Sequence, residues 1–337
     1  MKHGIEADLI VVGGGVAGRM AALAAARAGQ DVVLLDDGTP PPLPGVRICA
    51  RRTVWTVTPG FIVEALGPNG RETYRAPRLV SATGSLPRMI PFPGWTLRGV
   101  GALGDRSPGR RIVLAGTGPE LARQAAKLGR RVVAVADLAQ GQTIGAAYGN
   151  GHIERVKIVD LSPTTRARFI AADTILMGYG AIPRNDIQKL LGPLPGLGEK
   201  LPLPRGEGWG EGVPTHRAIS RSTPALMPVE GSNPTPTPPW HHLIQHLPPT
   251  VEICPCEHLT RADLDAAIAD GATDMNQLRA FTRCGMGACQ GRLCGPAASA
   301  LVPGEWTVRP PLRPIPLQAL LGHYTYADIP VPTPAPL

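Results

Sequence analysis

The chain has 337 residues, 43% of them hydrophobic and 4% aromatic, with a formal net charge of +8. That length allows two or three domains with real cores, and so few aromatics suit Ala/Val/Leu-rich α/β packing. Lys and Arg are scattered rather than gathered among aromatics, which argues against nucleic-acid binding, while a basic balance suits docking to an acidic partner. No run of about 18 apolar residues marks a spanning helix. The apolar run at 9–12 is too short for a signal-peptide core, so the expected location is the cytoplasm.

Residues 8–12 read as a buried parallel strand. Gly13, Gly15 and Gly18 follow at G-x-G-x-x-G spacing and open an Ala/Leu-rich helix that stops at Gly29. A second strand at 32–35 leads to Asp36 and Asp37. This is a dinucleotide fingerprint: the glycines permit a tight turn, close pyrophosphate approach and helix–strand packing. The acidic residues sit where a ribose hydroxyl is bound. Gly13, Gly15, Val16, Ala17, Gly18, Asp36 and Asp37 are the candidate contacts. Cys49 has no cysteine nearby and reads as a small apolar residue.

Residues 111–115 form a similar strand, leading into Gly116-Thr117-Gly118-Pro119-Glu120-Leu121. Pro119 suits a first helical turn. Leu121 stands where a third glycine would be. A helix to Gly129, a strand at 132–135 and Asp137 follow. Gly116 and Gly118 are candidate contacts for a second nucleotide; NAD or an empty remnant are both open here.

Residues 192–249 hold 13 prolines and 8 glycines in 58 positions, too many to build a core, and read as a linker. His241 and His242 within it are expected to be solvated.

Five of the six cysteines lie between Cys254 and Cys294. Cys254 and Cys256 form a Cys-x-Cys pair; Cys289 and Cys294 form a Cys-x4-Cys pair. Four thiolates satisfy a [2Fe–2S] cluster. A four-cysteine zinc site and reduced core cysteines without metal are the alternatives, although Cys-x-Cys is tighter than the usual zinc knuckle. Cys284 reads as a packed thiol, or one just outside the ligands. Between the pairs, Thr260 and Asp263 form a capping box for a helix bearing Leu264, Ala267 and Ile268, with Gly271 at its C-terminal end. Asp274 caps a second helix through Leu278 and Phe281. A third helix is expected from about Cys289 to Ala300.

The run Thr282-Arg283-Cys284-Gly285-Met286-Gly287-Ala288-Cys289-Gln290-Gly291-Arg292-Leu293-Cys294, with Cys254-Pro255-Cys256-Glu257, resembles the ferredoxin-like module of bacterial amine dehydrogenase alpha subunits. These are the D-hydroxyproline dehydrogenase, opine oxidase and hydrogen cyanide synthase type; the module also resembles bacterioferritin-associated ferredoxin. The resemblance implies an α/β fold with two Rossmann-like FAD/NAD(P)-binding domains, abbreviated, plus a small helical [2Fe–2S] domain. It implies FAD at the N-terminal site, with Thr83 and Gly84 of the Ala82-Thr83-Gly84 segment near the flavin. For the second site it adds ATP to the open choices.

The resemblance also covers 91–100, a return strand at 173–183 and a tail at 309–314. The Gly-Asp flavin contact that the family places near 192–249 is not found there. The implied domains are 5–108, 109–172 and 173–191 for the dinucleotide folds, a 192–249 linker, 250–303 for the cluster and a 304–337 tail that wraps a partner. The partners it implies are a catalytic flavoprotein subunit plus a small ferredoxin-like subunit, with peripheral attachment to the inner membrane through them. No catalytic triad or acid/base pair is recognisable, and no residue is assigned a catalytic role. The implied activity is electron transfer during oxidation of an amino-acid-like amine. The alternatives are a free-standing NAD(P)H-dependent FAD oxidoreductase and a non-catalytic iron–sulfur scaffold.

Overall fold

The computed structural model describes residues 4–105, 109–161, 167–191, 218–220, 239–304 and 307–320. Two compact units divide the chain: 1–84, 184–229 and 308–337 form one, and 85–183 with 230–307 form the other.

In the first unit, strands Leu9–Val12, Val32–Asp36, Val46–Ala50 and Arg78–Ser81 form a parallel sheet. Strand Ala218–Ser220 adds antiparallel to Arg78–Ser81. Consecutive residues of the central strands face opposite sides. Leu9, Val11, Val32 and Leu34 pack with Ala22 of helix Val16–Arg27. Ile10, Val12, Val33 and Leu35 pack on the other face with Val54, Val57, Phe61 and Tyr74. Val54, Val57 and Tyr74 come from a second sheet of strands Ile5–Glu6, Gly70–Arg75, Ile62–Gly67 and Thr53–Thr58, and Phe61 from the turn before Ile62. Burial on both faces is why the Leu9–Val12 strand is apolar throughout. Cys49 lies in Val46–Ala50 opposite Leu35, partly buried against this core.

In the second unit, Val100–Ala102, Thr174–Gly178, Ile112–Gly116 and Val132–Asp137 form a parallel sheet. Gln142–Tyr148, Arg155–Asp160 and Arg168–Ala171 form an antiparallel meander. Two expectations are corrected here. Residues 85–108, assigned to the first fold, belong to this unit. The 173–183 return segment also stays in it, because Thr174–Gly178 is zipped between Val100–Ala102 and Ile112–Gly116.

The cysteine module packs into the same unit. Its buried residues, among them Ile253, Leu264, Met275 and Leu278, share one core with Trp95, Val113, Ile144 and Ile175. The Trp95 indole N–H donates to the Glu252 carbonyl at 2.6 Å, anchoring the module at the strand that bears Cys254.

Within 192–249, Ala218–Ser220 is a strand and Pro239–Gln245 a helix; the linker expectation for 192–217 and 221–238 lies outside the described residues. His241 and His242 lie on that helix, with His242 stacked on His246 at 4.0 Å and His241 partly buried. The described part of the tail packs on its own chain. Leu312 donates its N–H to the Trp55 carbonyl at 2.8 Å and packs against the first unit's core. Its last residues, 321–337, lie outside the described residues.

Candidate functional site

The first unit builds a cradle at the C-terminal end of Leu9–Val12. A Cβ on Gly13 would sit 2.2 Å from the Ala82 carbonyl oxygen, and one on Gly18 only 1.8 Å from that of Gly13. Both must be glycine for the turn and helix to press on the sheet. A Cβ on Gly15 would meet no atom within 4 Å; that position faces open space. Gly15 is also the N-cap of Val16–Arg27 and offers no side chain to the first-turn N–H groups. Those of Val16, Ala17 and Gly18 therefore suit an anion.

A cavity over this turn is lined by Gly13, Gly15, Asp36, Asp37, Thr83 and Gly84. The Asp36 carboxylate is oriented by backbone: Oδ2 accepts the Gly14 N–H at 2.5 Å and Oδ1 the Gly38 N–H at 2.7 Å. Each oxygen keeps acceptor capacity for a ribose hydroxyl. Thr83 has a different task. Its hydroxyl donates to the Arg184 carbonyl at 2.6 Å, while the Arg184 N–H donates to Gly84 O at 3.0 Å. It pins the returning chain to the end of its strand. An open glycine, an uncapped helix start and an oriented carboxylate fit the diphosphate and ribose of FAD.

The cavity also contains residues that sequence reading missed: Arg52, Arg184, Asp186, Leu312 and Arg313. Arg52 is held by Glu72 at 2.9 Å. Arg313 lies in the tail segment singled out by resemblance, but only packing of Leu312 brings it here.

Gly116 and Gly118 belong to the second unit. A Cβ on Gly116 would lie 2.3 Å from Gly178 O, so that turn keeps its close contact. Leu121, 3% exposed, packs among Ile112, Leu114 and Leu176. It fills the space that a third glycine would leave for close helix approach. Asp137 spends its carboxylate on the Ala139 N–H at 3.0 Å, capping its own short turn.

The cysteine site is built by four local devices. Strand Glu252–Cys254 delivers the first pair. Helix Arg261–Ala269 starts at the Thr260/Asp263 capping box, as expected. Helix Met275–Thr282 starts at Asp274 and ends at Arg283, whose φ of +63° turns the chain inward. The third helix is shorter than expected, Gly295–Ser299, because tight turns occupy 284–294. A Cβ on Gly287 would lie 2.3 Å from the Cys256 Cβ, so only glycine lets that loop close over Cys256.

The structure groups the expected ligands differently from the sequence pairs, and it adds Cys284. Cys254 and Cys294 are buried together, with Cys284 as a third thiol; their sulfurs lie within 4.8 Å of one another. Cys256 and Cys289 meet as a half-buried pair. Backbone N–H groups point at the sulfurs: Gly285 and Glu257 at Cys254, Cys289 at Cys256, and Leu293, Gly291 and Arg292 at Cys289. Donors aimed at sulfur favour thiolates and cluster sulfides.

The titration of the thiols follows. Burial and the nearby Cys294 push Cys254 up. Cys294 is pushed up by its hydrogen bond with Cys284 and by burial. Cys256 has the Cys289 N–H in its favour, yet burial and the neighbouring sulfurs push it up. For Cys289 burial opposes ionisation, but the three N–H groups and the Cys256 thiol hold it below its ordinary value. Crowded thiols that resist ionising together are relieved by a metal's positive charge. The donor set fits a [2Fe–2S] cluster.

Comparison with known proteins agrees with both sites. Residues 252–303 match the BFD-like [2Fe-2S] binding domain, and residues 8–41 match an FAD binding domain. An opine oxidase subunit of Rhizobium meliloti (strain 1021) is 27% identical, over 81% of this chain and 82% of the relative. Hydrogen cyanide synthase subunit HcnB of Pseudomonas protegens is 25% identical, over 64% and 67%. The solved structure of L-proline dehydrogenase from P. horikoshii shares the fold with a TM-score of 0.65 at 16% identity, covering 94% of this chain and 80% of that one. The chain is thus a relative of the opine oxidase and hydrogen cyanide synthase subunits, with FAD and [2Fe–2S] as its cofactors.

Proposed function

We propose that this chain is the electron-transferring subunit of a flavin/iron–sulfur dehydrogenase that oxidises a small amino-acid-like amine of the D-hydroxyproline, opine or glycine class. The observation that carries the reading is one chain holding both a dinucleotide cradle and a cluster of thiols, the Cys254/Cys284/Cys294 trio with the Cys256/Cys289 pair. FAD supplies two-electron chemistry when bound, and the cluster carries single electrons. The chain's own residues bind and orient: Gly13, Gly15, Gly18 and Asp36 hold the dinucleotide, and Cys254, Cys256, Cys289 and Cys294 hold iron.

Substrate oxidation is assigned to a separate flavoprotein subunit, since relatives are named as subunits of an oxidase and a synthase. No helix among the described residues is long and apolar enough to cross a membrane; peripheral attachment through partners belongs to the same proposal. A free-standing NAD(P)H oxidoreductase needs a working second nucleotide site. Leu121 in the helix–strand interface argues against one.

The purified chain should show no dye reduction with proline, hydroxyproline, opines or glycine. Adding the cognate flavoprotein subunit should restore turnover and bleach the cluster spectrum. Robust substrate-dependent reduction by the isolated chain would overturn the assignment.

A further inference from the structure

Five thiols converge where a [2Fe–2S] cluster takes four, and they are not equivalent. Cys254, Cys284 and Cys294 form a fully buried trio with sulfurs within 4.8 Å of one another. Cys256 and Cys289 form a half-buried pair, which no third thiol joins among the described residues. Thiolates at about 2.3 Å from a tetrahedral metal lie about 3.8 Å apart. The trio is therefore within a small side-chain shift of any pairwise choice of ligands.

The position of Cys284 is built into the backbone. Arg283 adopts φ +63° and so directs the next residue inward. The Cys284 N–H is then fixed by the Thr282 hydroxyl at 3.1 Å. That hydroxyl in turn donates to the Leu278 carbonyl at 2.6 Å, tying the thiol to the end of a helix. The Cys284 and Cys294 sulfurs lie within 4.8 Å of each other.

We propose that Cys284 is a reserve iron ligand, able to replace Cys294 or Cys254 on the buried side of the cluster. The inference rests on the [2Fe–2S] reading of the site. In such an exchange the bond from iron to Cys294 would break as one to Cys284 formed. The Cys284 proton would pass to the released Cys294 thiolate, within 4.8 Å. Charge and electron count are unchanged, so no oxidant or reductant is needed. The exposed side has no such reserve: loss of Cys256 or Cys289 leaves three ligands.

The test compares Cys294→Ser, Cys289→Ser and the double variant Cys284→Ser/Cys294→Ser in the full chain, after anaerobic reconstitution with ferrous iron and sulfide. Iron and sulfide content, visible circular dichroism and the spin-resonance spectrum after reduction are the readouts. Cys294→Ser should keep about two irons per chain with altered spectra, and the other two should fall to background. A folded Cys294→Ser protein as empty as the double variant would overturn the proposal; FAD retention and far-ultraviolet circular dichroism establish folding. Should Cys294→Ser fail to fold, Cys284→Ser alone decides. It should assemble a full cluster yet release iron to a chelator severalfold faster than the wild type, and an equal rate would overturn the idea. Wild-type protein without iron would instead refute the cluster reading itself.

Discussion

The Gly14 N–H donates to Asp36 Oδ2 at 2.5 Å, across the turn that the three fingerprint glycines create. With Gly38 on its other oxygen at 2.7 Å, Asp36 fastens two loops at the rim of the cavity and presents an oriented carboxylate to a ribose. Asp36→Ala should therefore weaken FAD binding by more than the loss of one contact. A hydrogen bond to a charged group contributes about 1.5–3 kcal/mol, or roughly one to two decades in affinity. Fluorescence titration of the apoprotein with FAD measures this; unchanged affinity would show that Asp36 is only a loop fastener.

The glycines should separate into binding and folding positions. Gly15→Val projects into open space where a diphosphate would lie, so FAD should be lost while the melting temperature of the apoprotein stays near wild type. Gly18→Val would drive a side chain into the Gly13 carbonyl, 1.8 Å from the Cβ position, and should prevent the first unit from folding. Flavin absorbance and a circular dichroism melt on each variant distinguish the two.

Arg313 gives the tail a role at the cavity. It is partly buried, so its charge is only partly screened by solvent. Facing an anionic dinucleotide, such a cation contributes up to about 1 kcal/mol, roughly fivefold in affinity. Arg313→Ala should lower FAD retention by about that factor and leave iron content unchanged. Equal FAD affinity in the variant would place the guanidinium off the ligand.

Anaerobically purified protein should hold about two irons per chain, and Cys289→Ser or Cys256→Ser should abolish the absorbance of the cluster. Zinc in place of iron, by metal analysis, would reverse the choice between the two metals that the cysteine spacing left open.

The capping box offers a pH test. The Thr260 hydroxyl and N–H hold the Asp263 carboxyl below its ordinary range, against a small opposing effect of burial. The folded value lies below the unfolded one, so the stabilisation is present at neutral pH. It is lost as pH falls through the depressed value. Thr260→Ala should cost about 1 kcal/mol at pH 7. The difference in melting temperature between wild type and Asp263→Asn should shrink in acid. A difference that grew in acid would contradict the assigned sign.

Much of both sites is written in short stretches of sequence. Gly13, Gly15 and Gly18 are dictated by one turn, and the Thr260/Asp263 box by one helix start. Each is a local constraint, satisfied within a few residues of chain, so spacing alone reveals it. The tertiary structure decided what depends on distant segments meeting. The Trp95 indole on Glu252 merges the cysteine module with the second fold's core. The strand pairing of Thr174–Gly178 keeps that segment in the second unit. Leu312 packed on the first core brings Arg313 to the cavity, and Cys284 stands beside Cys294, ten positions away in sequence, because Arg283 turns the chain inward. These placements follow from burial of apolar surface between remote elements, an interaction that has no fixed spacing along the chain and so leaves no pattern in it to read.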